Sequence, residues 1–176
     1  FIASYKGHVE VVRVLVERGA DIDKARDSGA TPLFIASQNG HVEVVSVLLE
    51  QGADIHKAKN DGCTPLFIAS QEGHVEVVRM LLEQGADIHK AWDDGATPLY
   101  IASEKGHVEV VRVLLEQGAD INKARDGGDT PLYIASEKGH VEVVRMLLEQ
   151  GADINKAKDD GATPLFIASE KGHVEV

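Results

Sequence analysis

The sequence predicts an all-α solenoid, a row of helix-turn-helix units with a hairpin-like turn between neighbours. Three observations carry this. Thr-Pro-Leu recurs at Thr31, Thr64, Thr97, Thr130 and Thr163, always 33 residues on. Gly-His (from Gly7 to Gly172) and Gly-Ala-Asp-Ile (from Gly19 to Gly151) keep the same step. Segments 93–125 and 126–158 differ at four positions, Asp94/Gly127, Ala96/Asp129, Val113/Met146 and Arg125/Lys158, which chance does not produce. A period in this range marks stacked repeats, each too small to bury its own apolar face.

One copy shows how the elements arise. Thr31 offers a hydroxyl to the free N–H groups of a helix start, and Pro32 at the first helical position lacks the N–H that would be orphaned. A first helix then covers Leu33 to about Asn39 and stops at Gly40. A second runs from about Val42 to Gln51 and stops at Gly52. Within it Val42, Val44, Val45, Val47, Leu48 and Leu49 are apolar. Glu43, Ser46 and Glu50 leave one narrow polar stripe. From Ala53 to Cys63 the chain is rich in Asp, Gly, Lys and Asn and reads as an extended turn. Helices this short are unstable alone in water, so stacking must hold them.

Composition narrows the function. The 176 residues carry 18 Lys+Arg against 29 Asp+Glu, a net charge of −11. That surplus argues against nucleic acid or an anionic membrane, which select clustered cations. The single cysteine, Cys63, cannot form an intrachain disulfide and suits a reducing, cytoplasmic-type compartment. No apolar run approaches a bilayer span, and the N-terminal stretch lacks the order of a signal peptide.

The recurring pattern Gly-x-Thr-Pro-Leu, Ala, Gly-His, Val-Val-x-x-Leu-Leu, Gly-Ala-Asp-Ile-Asn resembles the ankyrin repeat over the whole chain. In that family's frame the chain is one domain of full repeats 26–58, 59–91, 92–124 and 125–157, flanked by part-repeats 1–25 and 158–176. The resemblance implies a curved ankyrin-repeat solenoid with β-hairpin loops projecting along one edge. It also implies protein partners bound by the loop tips and the concave first helices. The tip candidates are Arg26, Asp27, Ser28, Lys59, Asn60, Asp61, Trp92, Asp93, Asp94, Arg125 and Asp126. On the first helices they are Gln38, Asn39, Gln71, Glu72, Glu104, Lys105, Glu137 and Lys138. Asn122 and Asn155 fit the Leu-x-x-x-x-Ala-Asp-x-Asn pattern at which some family members are hydroxylated. Asp23, His56 and His89 depart from it.

Two departures from the family stand out. Where His usually follows Thr-Pro-Leu, this chain has Phe34, Phe67, Tyr100, Tyr133 and Phe166, with Phe1 at the equivalent place. These rings form either a ligand ladder or a packing ladder, and buried area in place of a hydrogen bond favours packing. At the hairpin start, where Asp is usual, stand Arg26, Lys59, Trp92, Arg125 and Lys158, at the expense of a turn-stabilising carboxylate.

Several constellations look chemical. The histidines at 8, 41, 74, 107, 140 and 173 align, but helices packed about 8–10 Å apart cannot bring successive copies within about 2.1 Å of one zinc ion. The expected role is a backbone bond between repeats. His56 and His89 fail as ligands on the same spacing, so no metal or cofactor is expected. Ser37, Ser70, Ser103, Ser136 and Ser169 lack any nucleophile context. No phosphate loop is present, and paired acids such as Asp93-Asp94 lie on exposed turns, so an enzyme is not expected. The rows Glu76/Arg79/Glu83, Glu109/Arg112/Glu116 and Glu142/Arg145/Glu149 read as ion pairs on a solvated outer face.

The function expected is a protein-interaction scaffold. The alternatives are a spacer or spring within a larger ankyrin protein, favoured by near-identical copies, and an engineered repeat scaffold. Trp92, alone on a tip where other copies carry Arg or Lys, is either a binding anchor or drift. The chain opens inside a first helix at Phe1 and stops at Val176, expected just inside a second helix. Apolar surface at Val11, Val12 and Leu15, and at Leu165 and Ile167, should therefore be partly uncovered. The last fragment ends at repeat position 19 and the first begins at position 9. Association of an otherwise monomeric chain through its ends would thus be weak and out of register.

Overall fold

A computed structural model describes residues 1–175; the expectation for Val176 lies outside them. The described residues form eleven helices: α1 Ile2–Lys6, α2 Val9–Glu17, α3 Pro32–Gln38, α4 Val42–Glu50, α5 Pro65–Glu72, α6 Val75–Glu83, α7 Pro98–Lys105, α8 Val108–Glu116, α9 Pro131–Lys138, α10 Val141–Glu149 and α11 Pro164–Lys171. The odd-numbered helices stack in one layer and the even-numbered ones in a second. The starts follow the expected chemistry. Thr31, Thr64, Thr97, Thr130 and Thr163 each accept the N–H three residues on, at 3.1–3.2 Å, with proline at the first helical turn.

Side-chain size sets the curvature. The odd layer meets through small residues such as Ala36, Ala69, Ala102 and Ala135, all fully buried, whereas the even layer interposes Val, Leu and Met. The odd helices therefore approach more closely, and the row bends with them on its inner side. Between the layers lies a Val/Leu/Ala core running through Leu33, Val44, Leu66, Val77, Leu99, Val110, Leu132 and Val143. A second core under the hairpins holds Phe34, Phe67 and Tyr100 with Ile68, Ile101 and Ile134.

The connecting loops are hairpins without strands among the described residues. Each folds on one pair of bonds, for example Lys59 N–H to Cys63 O (2.9 Å) and Gly62 N–H to Lys59 O (3.0 Å). A single bridging pair is too short to make a ladder. Tips are also tied to one another, with Asn60 N–H donating to Ser28 O and Asp126 N–H to Asp94 O.

Two expectations are corrected. Val12 and Ile167 are buried, because Val12 turns into the interlayer core and Ile167 lies on the packed face of α11. Val11, Leu15 and Leu165 are exposed as expected. Of the three outer ion-pair rows only Arg112–Glu109 closes, at 3.4 Å with both side chains about half exposed. Exposed partners gain too little in water to hold one geometry.

Candidate functional site

The concave face is assembled from the hairpins and the odd helices, and its rigidity comes from two columns. The first is histidine. His41, His74, His107, His140 and His173 place Nε2 at 2.8–3.0 Å from the carbonyls of Tyr5, Gln38, Gln71, Glu104 and Glu137. A carbonyl only accepts, so Nε2–H donates in each of these bonds. Each ring lies flat on the glycine of the preceding repeat. A Cβ on Gly106 would meet His140 Nδ1 at 2.7 Å, and the φ of +76° there also disfavours a side chain. The expected inter-repeat bond is thus present in every junction described.

The second column is aromatic. Phe1 is half-buried and Phe166 57% exposed, whereas Phe34, Phe67, Tyr100 and Tyr133 are at most 4% exposed, so these four rings are a packing ladder. Its second component was missed. The hairpin-start residue 25 positions later covers each ring. Arg26 lies over Phe1 (5.1 Å), Lys59 over Phe34 (5.5 Å), Arg125 over Tyr100 (5.1 Å) and Lys158 over Tyr133 (5.8 Å). Trp92 takes that place on Phe67, with ring centroids 5.6 Å apart and planes tilted by 47°. The two departures from the family are therefore one exchange, an aromatic ring with a cation or second ring above it. The lost turn carboxylate is supplied from within the tip, where Asp61, Asp94 and Asp160 accept the N–H of Cys63, Ala96 and Ala162 at 3.0–3.1 Å. Ser28 does the same more weakly for Ala30, at 3.4 Å.

The fourth hairpin transposes this carboxylate. Gly127 has no side chain to offer, and two residues on Asp129 points inward, 3% exposed. Its Oδ2 accepts the Tyr100 hydroxyl at 2.8 Å and Arg125 Nε at 2.7 Å, while Oδ1 is buried without a partner. Arg125 also reaches Asp94 at 3.3 Å. Burial, with the Asp129 carboxylate beside it, raises the Tyr100 phenol far above its ordinary range. The signal available in the sequence was the paired change Asp94/Gly127 and Ala96/Asp129.

None of the nineteen residues proposed for partner contact is buried. The structure separates them by how they are engaged. Asn60 donates its amide to Asp27 O at 2.8 Å, and the carboxylates of Asp93 and Asp126 rest against Gly62 and Gly95 of the preceding tips. These residues join repeats. Lys59 binds Asp61 at 2.7 Å, Asn39 binds Ile35 O at 2.7 Å, and Gln71 binds Glu72 at 2.9 Å. Burial works against ionisation of Asp61, but Lys59 and the Cys63 N–H outweigh it and hold the carboxyl below its usual value. Arg26, Asp27, Ser28, Gln38, Trp92, Glu104, Lys105, Glu137 and Lys138 border the concave face with fewer ties, although Glu104–Lys105 and Glu137–Lys138 make loose pairs at 3.8 and 4.0 Å.

Other groups have structural duties. Ser70, Ser103, Ser136 and Ser169 donate to the carbonyl four residues back at 2.8 Å. Burial pushes the Cys63 thiol up to about 12. Asn122 accepts Asp153 N–H at 2.9 Å, as Asp23 accepts Asp54 N–H, while Asn155 is exposed. No helix described is long and apolar enough to cross a membrane.

Stacked helix pairs with a concave inner face and a row of tied tips define a repeat solenoid that presents a surface. The chain belongs to the ankyrin-repeat family: a model of ankyrin repeats, three copies long, matches residues 1–91, 57–125, 89–158 and 124–176. No curated protein matches the chain at a significant level. Ankyrin repeats are generally protein–protein interaction modules, a fold of binding surfaces and not of catalysis.

Proposed function

We propose that the chain is a protein-interaction scaffold that binds a partner along its hairpin tips and the concave face of its first helices. One observation carries this reading. The positions that differ most between otherwise near-identical copies include Arg26/Lys59/Trp92 and Ser28/Asp61/Asp94/Gly127 on the tips and Asn39/Glu72/Lys105 on the first helices, and none of these residues is buried. The outer helices vary at Ser46 against Arg79, at Val47 against Met80 and at Val16 against Leu49, and no position there takes more than two residue types. Near-identity also favours a second reading, a spacer whose length matters more than its surface. Under either reading Asn155 is the freer of the two candidate hydroxylation acceptors, because Asn122 is already bound to the next repeat.

Capture from lysate with matched variants separates the readings. Arg26→Ala, Gln38→Ala, Trp92→Ala and Lys105→Ala together should abolish capture of partners held by the parent chain. Glu76→Gln, Glu109→Gln and Glu142→Gln on the outer face should leave it intact. The reverse pattern would move the binding surface to the outer helices, and no specific capture would favour the spacer.

A further inference from the structure

The concave face is not uniform along its length. Over the first three hairpins it deepens into an open groove of about 470 Å³. The buried side chains of Ile35, Ile68 and Phe67 line it, and Trp92, 37% exposed, also borders it. Its polar wall is made by Arg26, Lys59, Gln38 and Gln71. Asp61 is the only acid in this lining, and its charge is already engaged by Lys59 at 2.7 Å and the Cys63 N–H at 3.1 Å. Arg26 pairs with no carboxylate among the described residues, and its guanidinium lies over Phe1. The groove thus carries a small positive excess on a chain of net charge −11.

Further along, the charges are arranged differently, and Asn39 and Glu72 give way to Lys105, Lys138 and Lys171. Gln38 and Gln71 are succeeded by Glu104, Glu137 and Glu170, and Ala30 and Cys63 by Ala96 and the buried acid Asp129. Two neutral amides stand where the later repeats place carboxylates, beside the two groove cations.

We propose that this groove takes an extended acidic peptide segment of a partner protein, with a carboxylate toward Arg26 and one apolar side chain on the Ile35–Ile68 floor beside Trp92. The proposal rests on the concave-face reading above and adds the chemistry and register of the partner. In the later repeats each first-helix cation stands beside its own glutamate, Lys105 by Glu104 and Lys138 by Glu137, whereas Arg26 has no carboxylate partner among the described residues, so an acidic segment is best received in the groove. A basic segment would meet Arg26 here and find the one acid of the lining, Asp61, already held by Lys59. Trp92 supplies the wide, partly desolvated face on which binding energy concentrates.

Selection of random 12-residue displayed peptides against the full chain tests this. Recovered sequences should be rich in Asp and Glu around an aliphatic or aromatic residue. The double variant Gln38→Glu, Gln71→Glu should weaken them tenfold or more. Glutamate is native at the equivalent places in the later repeats, so this variant folds, which circular dichroism confirms independently. Trp92→Ala, which removes the ring without adding charge, should weaken them as well. Basic or neutral peptides that still respond to these variants would overturn the acidic partner and leave the concave-face reading standing. Peptides that respond to neither variant, or a failure to recover any, would overturn both.

Discussion

Replacing Asp129 by alanine is the sharpest test of how the junction between the last two complete helix pairs is held. Alanine occupies the equivalent position at Ala30, Ala96 and Ala162, so the change creates no steric demand. It removes the acceptor of the buried Tyr100 hydroxyl, a charge-assisted bond of about 1.5–3 kcal/mol, and the half-screened pair with Arg125, about 0.5–1 kcal/mol. Against this, it relieves the burial of Oδ1, which has no partner and costs about 1–3 kcal/mol. The net expectation is a loss of about 1 kcal/mol. Tyr100→Phe alone should cost a similar amount, since the carboxylate then keeps only Arg125. The double variant recreates the Phe67–Ala96 pairing found one repeat earlier and should lie within about 0.5 kcal/mol of the parent. The two changes are therefore coupled by at least about 1 kcal/mol. Urea unfolding followed by helical circular dichroism measures the cycle, and amide exchange in α7 and α9 localises it if the array does not melt as one unit. Additive losses, or an Asp129→Ala variant as stable as the parent, would refute the network.

Gly85 and Gly106 both have positive φ, but a Cβ meets nothing within 4 Å at Gly85 and His140 Nδ1 at 2.7 Å at Gly106. Gly85→Ala should cost about 1–2 kcal/mol and Gly106→Ala clearly more, and thermal melts that reverse this order would contradict the role of the histidine column. Trp92→Lys should change stability by less than about 0.5 kcal/mol, because Lys59 over Phe34 shows that a cation covers the ring as well; a large loss in melting temperature would mean that Trp92 is a structural anchor. In the alkaline direction the signs agree. Tyr100, Tyr133 and Cys63 all have folded-state values raised by burial, so their contribution is complete below their unfolded values and is lost as pH rises through the folded ones. Urea midpoints should fall above about pH 9, and a Cys63→Ala, Tyr100→Phe, Asp129→Ala variant should flatten that fall; an unchanged slope would show that these groups do not set it.

Within one repeat, the sequence was legible wherever a residue acts on its own neighbours. Thr31 caps the turn it starts, and Gly40 and Gly52 end the helices they follow, so the boundaries of α3 and α4 could be read directly. Contacts between repeats were legible only where all copies share them, as with the histidines. The cover that Lys59 gives Phe34 spans 25 positions and looks, within one repeat, like a missing aspartate. The Tyr100–Asp129 bond occurs once and leaves no period to find. The outer Glu/Arg rows misled for the opposite reason. Their spacing is right, but exposed charges have water as an equal partner, and only Arg112–Glu109 closes. Of the partner surface, the sequence marked which positions vary, not which are already occupied, as Asn60, Asp93 and Asp126 are by the neighbouring tip.

The histidine bonds all join residues 36 positions apart, and the covers over the rings all join residues 25 apart. Such contacts are interchangeable: cutting out any 33 residues at matched points brings together surfaces that already fit. A chain of this kind can change its length by whole units while keeping both columns, and only one kind of change buries a group without its partner. A deletion that removes Tyr100 and keeps Asp129, such as residues 93–125, would set the carboxylate against Phe67, which has no hydroxyl to give it. That junction retains a memory of its neighbour in a buried bond, as the bonds of Asn60 to Asp27 and of Asn122 to Asp153 do at the surface, and there the copies have ceased to be fully exchangeable parts.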